Sequence, residues 1–272
     1  MTEVTREDLV ALIEQRLQRE LTDLQQVYRP QSDAVRTRAC SIDELLPTEI
    51  ATAIYQGFPP VQTMRRLSSL RERKYTFKQL RECTPIVEAV TFALQDQRIV
   101  TLVERITGMQ QLIPDSRLYA GGISAMVKGD YLHPHIDNSH DAERKLYRRI
   151  NLLYYVSPGW TLAHGGNLQL WDTKVRERVT LASKFNSLIL METNRHSWHS
   201  VNSVVGEGPR CCVSNYYFSA GSPDGTKYFH VTDFSAPPEQ PVRRLIARLD
   251  GRLRTAVRFV KQSGFSRKDF FQ

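Results

Sequence analysis

The sequence predicts an α+β protein in which a β-rich centre is flanked by helical segments from both ends of the chain. Apolar residues recur at three- and four-residue steps in residues 5–27 and again in residues 242–261, which is the spacing of an amphipathic helix. Between them, residues 117–218 contain short apolar and aromatic runs separated by Gly and Pro, as strands are. With 272 residues and 41% hydrophobic content, the chain is long enough to bury a sizeable core.

We expect one domain over residues 1–272. Its parts are an N-terminal helix and linker (1–35), a helical support region (36–115), a β core (116–235) and a C-terminal basic helix (236–272). Helices are predicted where apolar positions recur and capping residues mark the ends: 5–27 with Thr5 as cap, Pro47 to just before Gly57, Pro85–Gln95, Arg98–Gly108 and Val242–Lys261. The first helix should pack on the sheet, and a homodimer contact is the alternative.

Three further segments outside the core have no helical pattern. Pro30–Thr37 is expected to be a linker, and Cys40–Leu46 a short segment that leads into the helix at Pro47. Arg65–Arg81 is rich in Arg and Lys, and we expect an exposed loop or lid near the substrate mouth.

Composition limits the classes of function. The net charge of +8 could favour an anionic co-substrate, an acidic partner or nucleic acid, but a solvated basic surface is the simpler interpretation. No nucleic-acid-binding motif is present, so that partner is not expected. No run of eighteen apolar residues suggests a membrane span, and the polar N-terminus is unlike a secretory signal. The four cysteines lack metal-site spacing, which favours a reduced, cytoplasmic chain.

The β core contains strand candidates of two kinds. Arg149–Val156 is almost continuously apolar or aromatic, as buried strands are, whereas Asn167–Trp171 alternates polar and apolar residues. Phe185–Met191 and Arg210–Phe218 are further candidates, and Lys227–Phe234 could add another. Residues 117–127 are expected to begin the core, with a turn at residues 128–130.

The chemistry-bearing motif is His135-Ile-Asp137, two residues whose side chains share one face of a strand. A second histidine from a distant strand, His199, would complete two histidines and one carboxylate. Such a set leaves one side of a metal open, as non-haem Fe(II) oxygenases require. Two alternatives remain: His133 could pair with His135 in place of Asp137, and His196 could replace His199.

We favour His199 over His196 because Ser-Val follows it and Arg210 lies eleven residues downstream, which fits one loop between two strands. Three other histidines are expected at the surface or supporting the site: His140, His164 and His230.

As an ordered set, these motifs resemble the 2-oxoglutarate- and Fe(II)-dependent dioxygenases, particularly the prolyl-4-hydroxylase-like branch. The resemblance covers roughly residues 117–219 and consists of His135-x-Asp137, the Tyr154-Tyr155 strand, Gly165-Gly166-x-Leu168, His199-x-Val201 and Arg210. It implies a double-stranded β-helix (jelly roll, cupin-like) core. It also implies Fe(II), 2-oxoglutarate and O2 as reactants, with ascorbate as a supporting reductant.

The resemblance also suggests roles for individual residues. His135, Asp137 and His199 would be the metal ligands and the catalytic set. Arg210 would bind the distal carboxylate of 2-oxoglutarate, because a guanidinium can pair with a carboxylate through two hydrogen bonds. Tyr155 would place its hydroxyl on the same carboxylate. Further pocket-lining residues are expected on the same strands: Asn151, Leu153, Val201, Cys212, Ser214 and Tyr216.

The function that follows is hydroxylation of an unactivated C–H bond of an amino-acid side chain, peptidyl or free, with succinate and CO2 as co-products. A small metabolite remains an open substrate class. Two alternatives use the same fold: a cupin-like Zn(II) hydrolase with a metal-bound water, which would not need Arg210 or Tyr155, and a non-catalytic sensor or binding protein.

Overall fold

The computed structural model of the protein describes residues 4–240. Within them, a curled antiparallel sheet is backed on one side by helices, which confirms the α+β class and the jelly-roll core. The predicted helix Val242–Lys261 lies outside the described residues.

Five α-helices are present in residues 4–240: α1 (Arg6–Arg19), α2 (Leu21–Val27), α3 (Thr48–Gln56), α4 (Pro85–Ala93) and α5 (Gln97–Thr107). Thr5 caps α1 through a capping box with Asp8, as predicted. The prediction of one unbroken helix over residues 5–27 is wrong. Glu20 has φ −105° and ψ 12°, outside the helical region, and this break lets α2 continue in a new direction.

The helices form a layer over the outer face of the sheet, in which α4 contacts β13, α2 contacts β2, and α1 packs on α4 and α5. Leu9, Ile13 and Leu17 of α1 are fully buried and belong to the same cluster as Leu152 and Tyr154 of the sheet. The apolar stripe of α1 is therefore covered within the chain itself. A homodimer remains a prediction, and this stripe is not available as its interface.

In the described part of the chain, the sheet has fourteen strands: β1 (Arg29–Pro30), β2 (Arg38–Ile42), β3 (Arg65–Ser68), β4 (Glu72–Phe77), β5 (Ile113–Pro114), β6 (Gly122–Met126), β7 (Tyr131–Ile136), β8 (Tyr147–Tyr155), β9 (Leu168–Trp171), β10 (Arg178–Leu181), β11 (Ser187–Glu192), β12 (His199–Val201), β13 (Arg210–Ser219) and β14 (Asp233–Phe234). Their order is β1-β2-β11-β8-β13-β6-β4-β7-β12-β9-β10. In addition, β3 pairs with β4, β5 with β13, and β14 with β7.

The basic segment Arg65–Arg81 is not the loop that we predicted. It forms the hairpin β3–β4, and β4 lies between β6 and β7. Tyr75 and Phe77 alternate with polar residues and pack against the main core. The alternation typical of a strand was therefore present in this segment, although most of its residues are basic.

Smaller corrections concern the same half of the chain. The region 36–115 is not purely helical, because it also contributes β2 to β5. Cys40–Leu46 begins in β2, the expected linker at Pro30 begins in β1, and the strand expected at Lys227–Phe234 is reduced to β14.

A β-bulge interrupts the long pairing of β8 with β13. Ile150 pairs with Tyr217, but the next pair is Arg148 with Phe218, so Arg149 is an extra residue on β8. Because strand side chains alternate between faces, one extra residue moves Arg148 to the other face of the sheet. That face also carries Tyr216, and the Arg148 guanidinium carbon lies 4.3 Å from the centre of the Tyr216 ring.

Candidate active site

The three predicted metal ligands converge on one point inside the curled sheet. His199 on β12 pairs directly with His135 on β7, and Asp137 follows immediately after β7. His135 Nε2 lies 3.7 Å from Asp137 Oδ1, and His199 Nε2 lies 3.8 Å from Asp137 Oδ2. One ligand atom from each residue lies within 4.8 Å of the other two, which is a suitable spacing for a shared metal ion.

The two alternative histidines lie outside this cluster. His196 is exposed in the loop before β12. His133 packs beside Tyr131, with 4.6 Å between ring centres. The site therefore groups His135 with Asp137 and His199.

Backbone carbonyls hold both imidazole rings in the tautomer that a metal needs. The Nδ1 atom of His135 lies 3.0 Å from the carbonyl oxygen of His133, and that of His199 lies 2.9 Å from the carbonyl oxygen of Ser197. A carbonyl oxygen can only accept, so each Nδ1 carries the proton and each Nε2 presents its lone pair to the centre. This arrangement is typical of metal-binding histidines, and the residues fit a divalent ion.

Burial and neighbouring charges favour the same protonation states. Burial, together with nearby His199, lowers the pKa of His135 to about 3. Burial opposes ionisation of Asp137, but neighbouring groups, with Arg148 the strongest and the two histidines and Lys74 behind it, together outweigh burial and hold the pKa of that carboxyl below its usual range. At neutral pH, His135 is neutral and Asp137 is charged, as metal ligation requires.

Arg210 begins β13 as predicted and is 4% exposed. Its Nη2 donates to Met126 Sδ at 2.7 Å, and its Nε is buried without a hydrogen-bond partner. Its guanidinium carbon lies 5.2 Å from the centre of the Tyr155 ring. Among residues 4–240, no carboxylate forms an ion pair with Arg210. Gly166 lets the chain pass beside this side chain, since a Cβ there would lie 2.9 Å from Arg210 Cδ.

The predicted lining residues share the inner face of β8 and β13. Three cross-strand pairs place them there: Tyr155 with Cys212, Leu153 with Ser214, and Asn151 with Tyr216. The Asn151 amide donates to the Tyr216 hydroxyl at 2.9 Å. Val201 instead packs against the cluster formed by Met126, Trp160 and Val204. This face runs from Arg210 at one end to Tyr216 beside the triad at the other.

The remaining histidines take supporting positions. His140 is buried against Tyr147, with 4.2 Å between ring centres, so a surface position for it is wrong. His230 is half-buried and its backbone pairs with Ser139. His164 is bonded to Thr161 in the turn before β9.

Sequence reasoning missed Arg148, which is 5% exposed and lies beside the triad. Its Nη1 is 3.2 Å from Asp137 Oδ2, and its Nη2 donates to Asn138 Oδ1 at 2.6 Å. The available signal was a pair of arginines, Arg148 and Arg149, at the start of an apolar strand. Simple alternation counted along β8 from Asn151, however, places Arg148 on the opposite face.

Two further neighbours of the triad were also missed. The Lys74 ammonium is close enough to lower the pKa of both His135 and Asp137, and it pairs with Glu72 at 3.0 Å. The Phe234 ring from β14 stacks on the His135 ring, with 5.4 Å between centres and 21° between planes. Both belong to segments that the sequence did not connect to the site.

Residues 121–218 match the family model described as the 2OG-Fe(II) oxygenase superfamily. This segment contains all three triad residues, the whole of β8 and Arg210. The region that forms the site is therefore similar to the 2-oxoglutarate- and Fe(II)-dependent oxygenases, an enzyme family that requires both Fe(II) and 2-oxoglutarate. None of the curated proteins compared with the chain matches it.

Within this class, the solved structures with a similar fold include prolyl hydroxylases. A Pseudomonas putida prolyl-4-hydroxylase is 12% identical, with 73% of this chain and 100% of that one covered and a TM-score of 0.53. A Trichoplax adhaerens prolyl hydroxylase, solved with a peptide fragment of hypoxia inducible factor, is 18% identical, with 75% and 93% covered and a TM-score of 0.50. The α-ketoglutarate-dependent epimerase SnoN of nogalamycin biosynthesis is 14% identical, with 77% and 88% covered and a TM-score of 0.50.

Identities this low support the fold, which is the double-stranded β-helix of these oxygenases. The fold is shared by hydroxylases and an epimerase, so it does not by itself decide the reaction or the substrate. In residues 4–240, no helix is both long enough and apolar enough to cross a bilayer.

Proposed function

We propose that this protein is a hydroxylase that uses Fe(II) and 2-oxoglutarate to oxidise an unactivated C–H bond of an amino-acid side chain, peptidyl or free. His135, Asp137 and His199 hold the metal, and Arg210 with Tyr155 binds the distal carboxylate of 2-oxoglutarate. When bound, the metal and co-substrate supply the oxidising chemistry. One oxygen atom of O2 enters the substrate, and the other enters succinate as CO2 is released.

The observation that carries this proposal is the buried Arg210 guanidinium. A buried cation is costly unless an anion pairs with it, and no described carboxylate does so. Its position on the inner face shared with Tyr155 suits an anionic ligand that also reaches the triad. A hydrolase with a metal-bound water would have no use for this cation, so Arg210 favours the oxygenase over the Zn(II) hydrolase.

Tyr155 is suited to the role of hydrogen-bond donor. Burial raises the pKa of its hydroxyl, so it stays neutral and keeps its proton at physiological pH. A neutral hydroxyl and a guanidinium together satisfy the two oxygens of a carboxylate. The resemblance to prolyl hydroxylases supports an amino-acid side chain as the substrate.

The decisive experiment is a screen of free amino acids and peptides for substrate-stimulated succinate release, followed by mass spectrometry of the products. The expected result is a product that gains one oxygen atom, formed only when Fe(II), 2-oxoglutarate and O2 are all present. The matched control is Asp137→Ala, which should lose this activity. Failure of the metal-loaded protein to bind 2-oxoglutarate, or Zn(II)-dependent hydrolysis in its absence, would contradict the proposal.

A further inference from the structure

We infer that Arg148 is a positioning residue that holds one oxygen of Asp137 and thereby keeps this carboxylate a single-oxygen ligand of the metal. The inference rests on the proposed function, because it assumes that the triad binds a divalent ion. It concerns how many coordination positions remain for the co-substrate and O2.

Arg148 is fixed on several sides by described atoms. Nη1 is 3.2 Å from Asp137 Oδ2, Nη2 donates to Asn138 Oδ1 at 2.6 Å, and the guanidinium lies over the Tyr216 ring. Nε is buried without a hydrogen-bond partner. Two of its three nitrogens are thus committed to consecutive residues, Asp137 and Asn138. This commitment distinguishes Arg148 from Arg210, whose guanidinium has no carboxylate partner in the described chain.

The physical argument concerns the two oxygens of a carboxylate. Asp and Glu bind metals through one oxygen or through both. Two histidines and one carboxylate oxygen occupy three of six positions, which leaves two for the 2-oxo acid group and one for O2. If both oxygens of Asp137 bound, one of those positions would be lost. The Arg148 guanidinium forms an ion pair with Oδ2, 3.2 Å from Nη1, and its positive charge competes with the metal for that oxygen.

The bulge in β8 is what brings Arg148 into this position. Without the extra residue, Arg148 would lie on the face of Ile150 and Leu152, which is packed against the helices. β-Bulges near functional sites commonly redirect a side chain in this way. Here the bulge directs a buried arginine at a candidate metal ligand.

The test compares four variants of the full chain with the parent: Arg148→Met, Arg148→Lys, Asn138→Ala and Arg149→Met. Arg148→Met removes the charge at similar length. Arg148→Lys keeps the charge but cannot contact Asp137 and Asn138 with a planar fork. Asn138→Ala removes the second contact of the fork and retains Arg148. Arg149→Met is the matched control, since Arg149 is adjacent in sequence but donates to Ser219 Oγ instead.

Three measurements are made on each variant without substrate: the thermal unfolding of the metal-free protein, the affinity for Co(II), and the affinity of the Co(II)-loaded protein for 2-oxoglutarate. The absorption spectrum of bound Co(II) reports the ligand set, and a merely structural role for Arg148 would leave that spectrum unchanged. Unfolding identifies any variant that fails to fold, and Asn138→Ala then carries the test.

We expect Arg148→Met to bind Co(II) with an altered spectrum and to lose roughly 10- to 100-fold in 2-oxoglutarate affinity, a loss of the same size as residues that orient metal ligands typically contribute to metal affinity or activity. Arg148→Lys should recover only part of that loss, Asn138→Ala should fall between the parent and Arg148→Met, and Arg149→Met should match the parent.

Parent-like spectra and 2-oxoglutarate affinity in Arg148→Met and Asn138→Ala would overturn the inference. Full recovery in Arg148→Lys would also overturn it, because charge alone would then explain the effect. A parent protein that binds neither Co(II) nor 2-oxoglutarate would instead refute the proposed function, so the two failures are distinguishable.

Discussion

Two buried arginines lie at opposite ends of the inner face of β13 and β8, and they differ in their partners. Arg148 is 5% exposed and contacts Asp137 and Asn138. Arg210 is 4% exposed and contacts Met126 Sδ and the Tyr155 ring. The charge of Arg148 is neutralised by a carboxylate of the chain, whereas Arg210, at the same depth, has no carboxylate partner among the described residues.

The difference teaches how to distinguish a structural cation from a ligand-binding one. Burial alone does not separate them, because both arginines are equally buried. What separates them is whether the chain supplies the anion itself. The Arg148 end is complete within the described chain, whereas under the proposed function the carboxylate of 2-oxoglutarate completes the Arg210 end.

The largest expected effect tests the metal ligands next to the Arg148 end of this face. His199→Ala should abolish turnover and weaken metal binding strongly, because it removes one of three ligands. His196→Ala should leave both nearly unchanged, since His196 is exposed outside the cluster. Metal titration of the metal-free proteins, followed by succinate release, checks this. A larger loss in His196→Ala would show that the distal ligand is assigned to the wrong histidine.

Next in size, the comparison predicts stability changes of opposite sign. Arg148→Met should destabilise the metal-free protein by about 3–5 kcal/mol, since it leaves the Asp137 carboxylate buried without its partner. Arg210→Met should be neutral or stabilising by roughly 1–2 kcal/mol, since it removes a buried cation that has no anion. Urea unfolding in the presence of a chelator measures both. Adding Asp137→Asn to Arg148→Met should recover much of the loss, and destabilisation by both single changes would refute the contrast.

Arg210→Ala tests whether the arginine without a carboxylate partner binds 2-oxoglutarate. Truncating one partner of a buried charge pair costs about 2–5 kcal/mol, which is roughly 30- to several-thousand-fold in 2-oxoglutarate affinity. Metal affinity should persist, because Arg210 is not one of the three candidate ligands. Calorimetric titration of the metal-loaded variant with 2-oxoglutarate gives the answer. Binding like the parent would mean that another cation holds the distal carboxylate.

The smallest expected effect is a pH dependence of the metal-free protein. The pKa of His135 is lowered from 6.5 to about 3, so below pH 6.5 the unfolded chain binds a proton that the folded chain does not. Stability should therefore fall as the pH decreases from 6.5 towards 4, on the order of 1 kcal/mol per pH unit. The pKa values of His140 and His230 are lowered too and act in the same direction.

Asp137 does not contribute in that window, because its pKa lies below the usual 3.8 and its stabilisation is lost only at more acidic pH. His135→Gln should flatten the slope of unfolding free energy against pH. An unchanged slope in that variant would show that His135 is not the buried neutral group described above.

Local patterns in the sequence predicted strands β8, β9, β11 and β13, and the order of the motifs, through its resemblance to the oxygenase family, predicted the grouping of His135, Asp137 and His199. Alternation, glycine turns and the spacing of His199 from Arg210 are short-range signals, and the structure brings these residues together. The roles assigned to the individual residues remain predictions until they are measured.

What the sequence could not show depends on register and on distant pairing. Counting alternate residues along β8 places Arg148 on the wrong face, because the bulge at Arg149 is set by the pairing with β13. The many charged residues of the hairpin β3–β4 made its alternation hard to recognise. The position of β4 beside β7 also depends on pairs more than fifty residues apart in sequence, such as Arg73 with Tyr131. The break at Glu20 has no glycine or proline to mark it in the sequence.

The insertion of β4 between β6 and β7 has a consequence for modularity. Residues 121–218 carry the family match, yet two strands from the first 77 residues complete the sheet around them: β2 beside β11, and β4 between β6 and β7. A fragment cut to the matched segment would expose unpaired strand edges at both places, which are sites for aggregation. The segment that is recognised by sequence is therefore smaller than the unit that can fold, and the N-terminal third acts as a covalently attached part of the barrel wall.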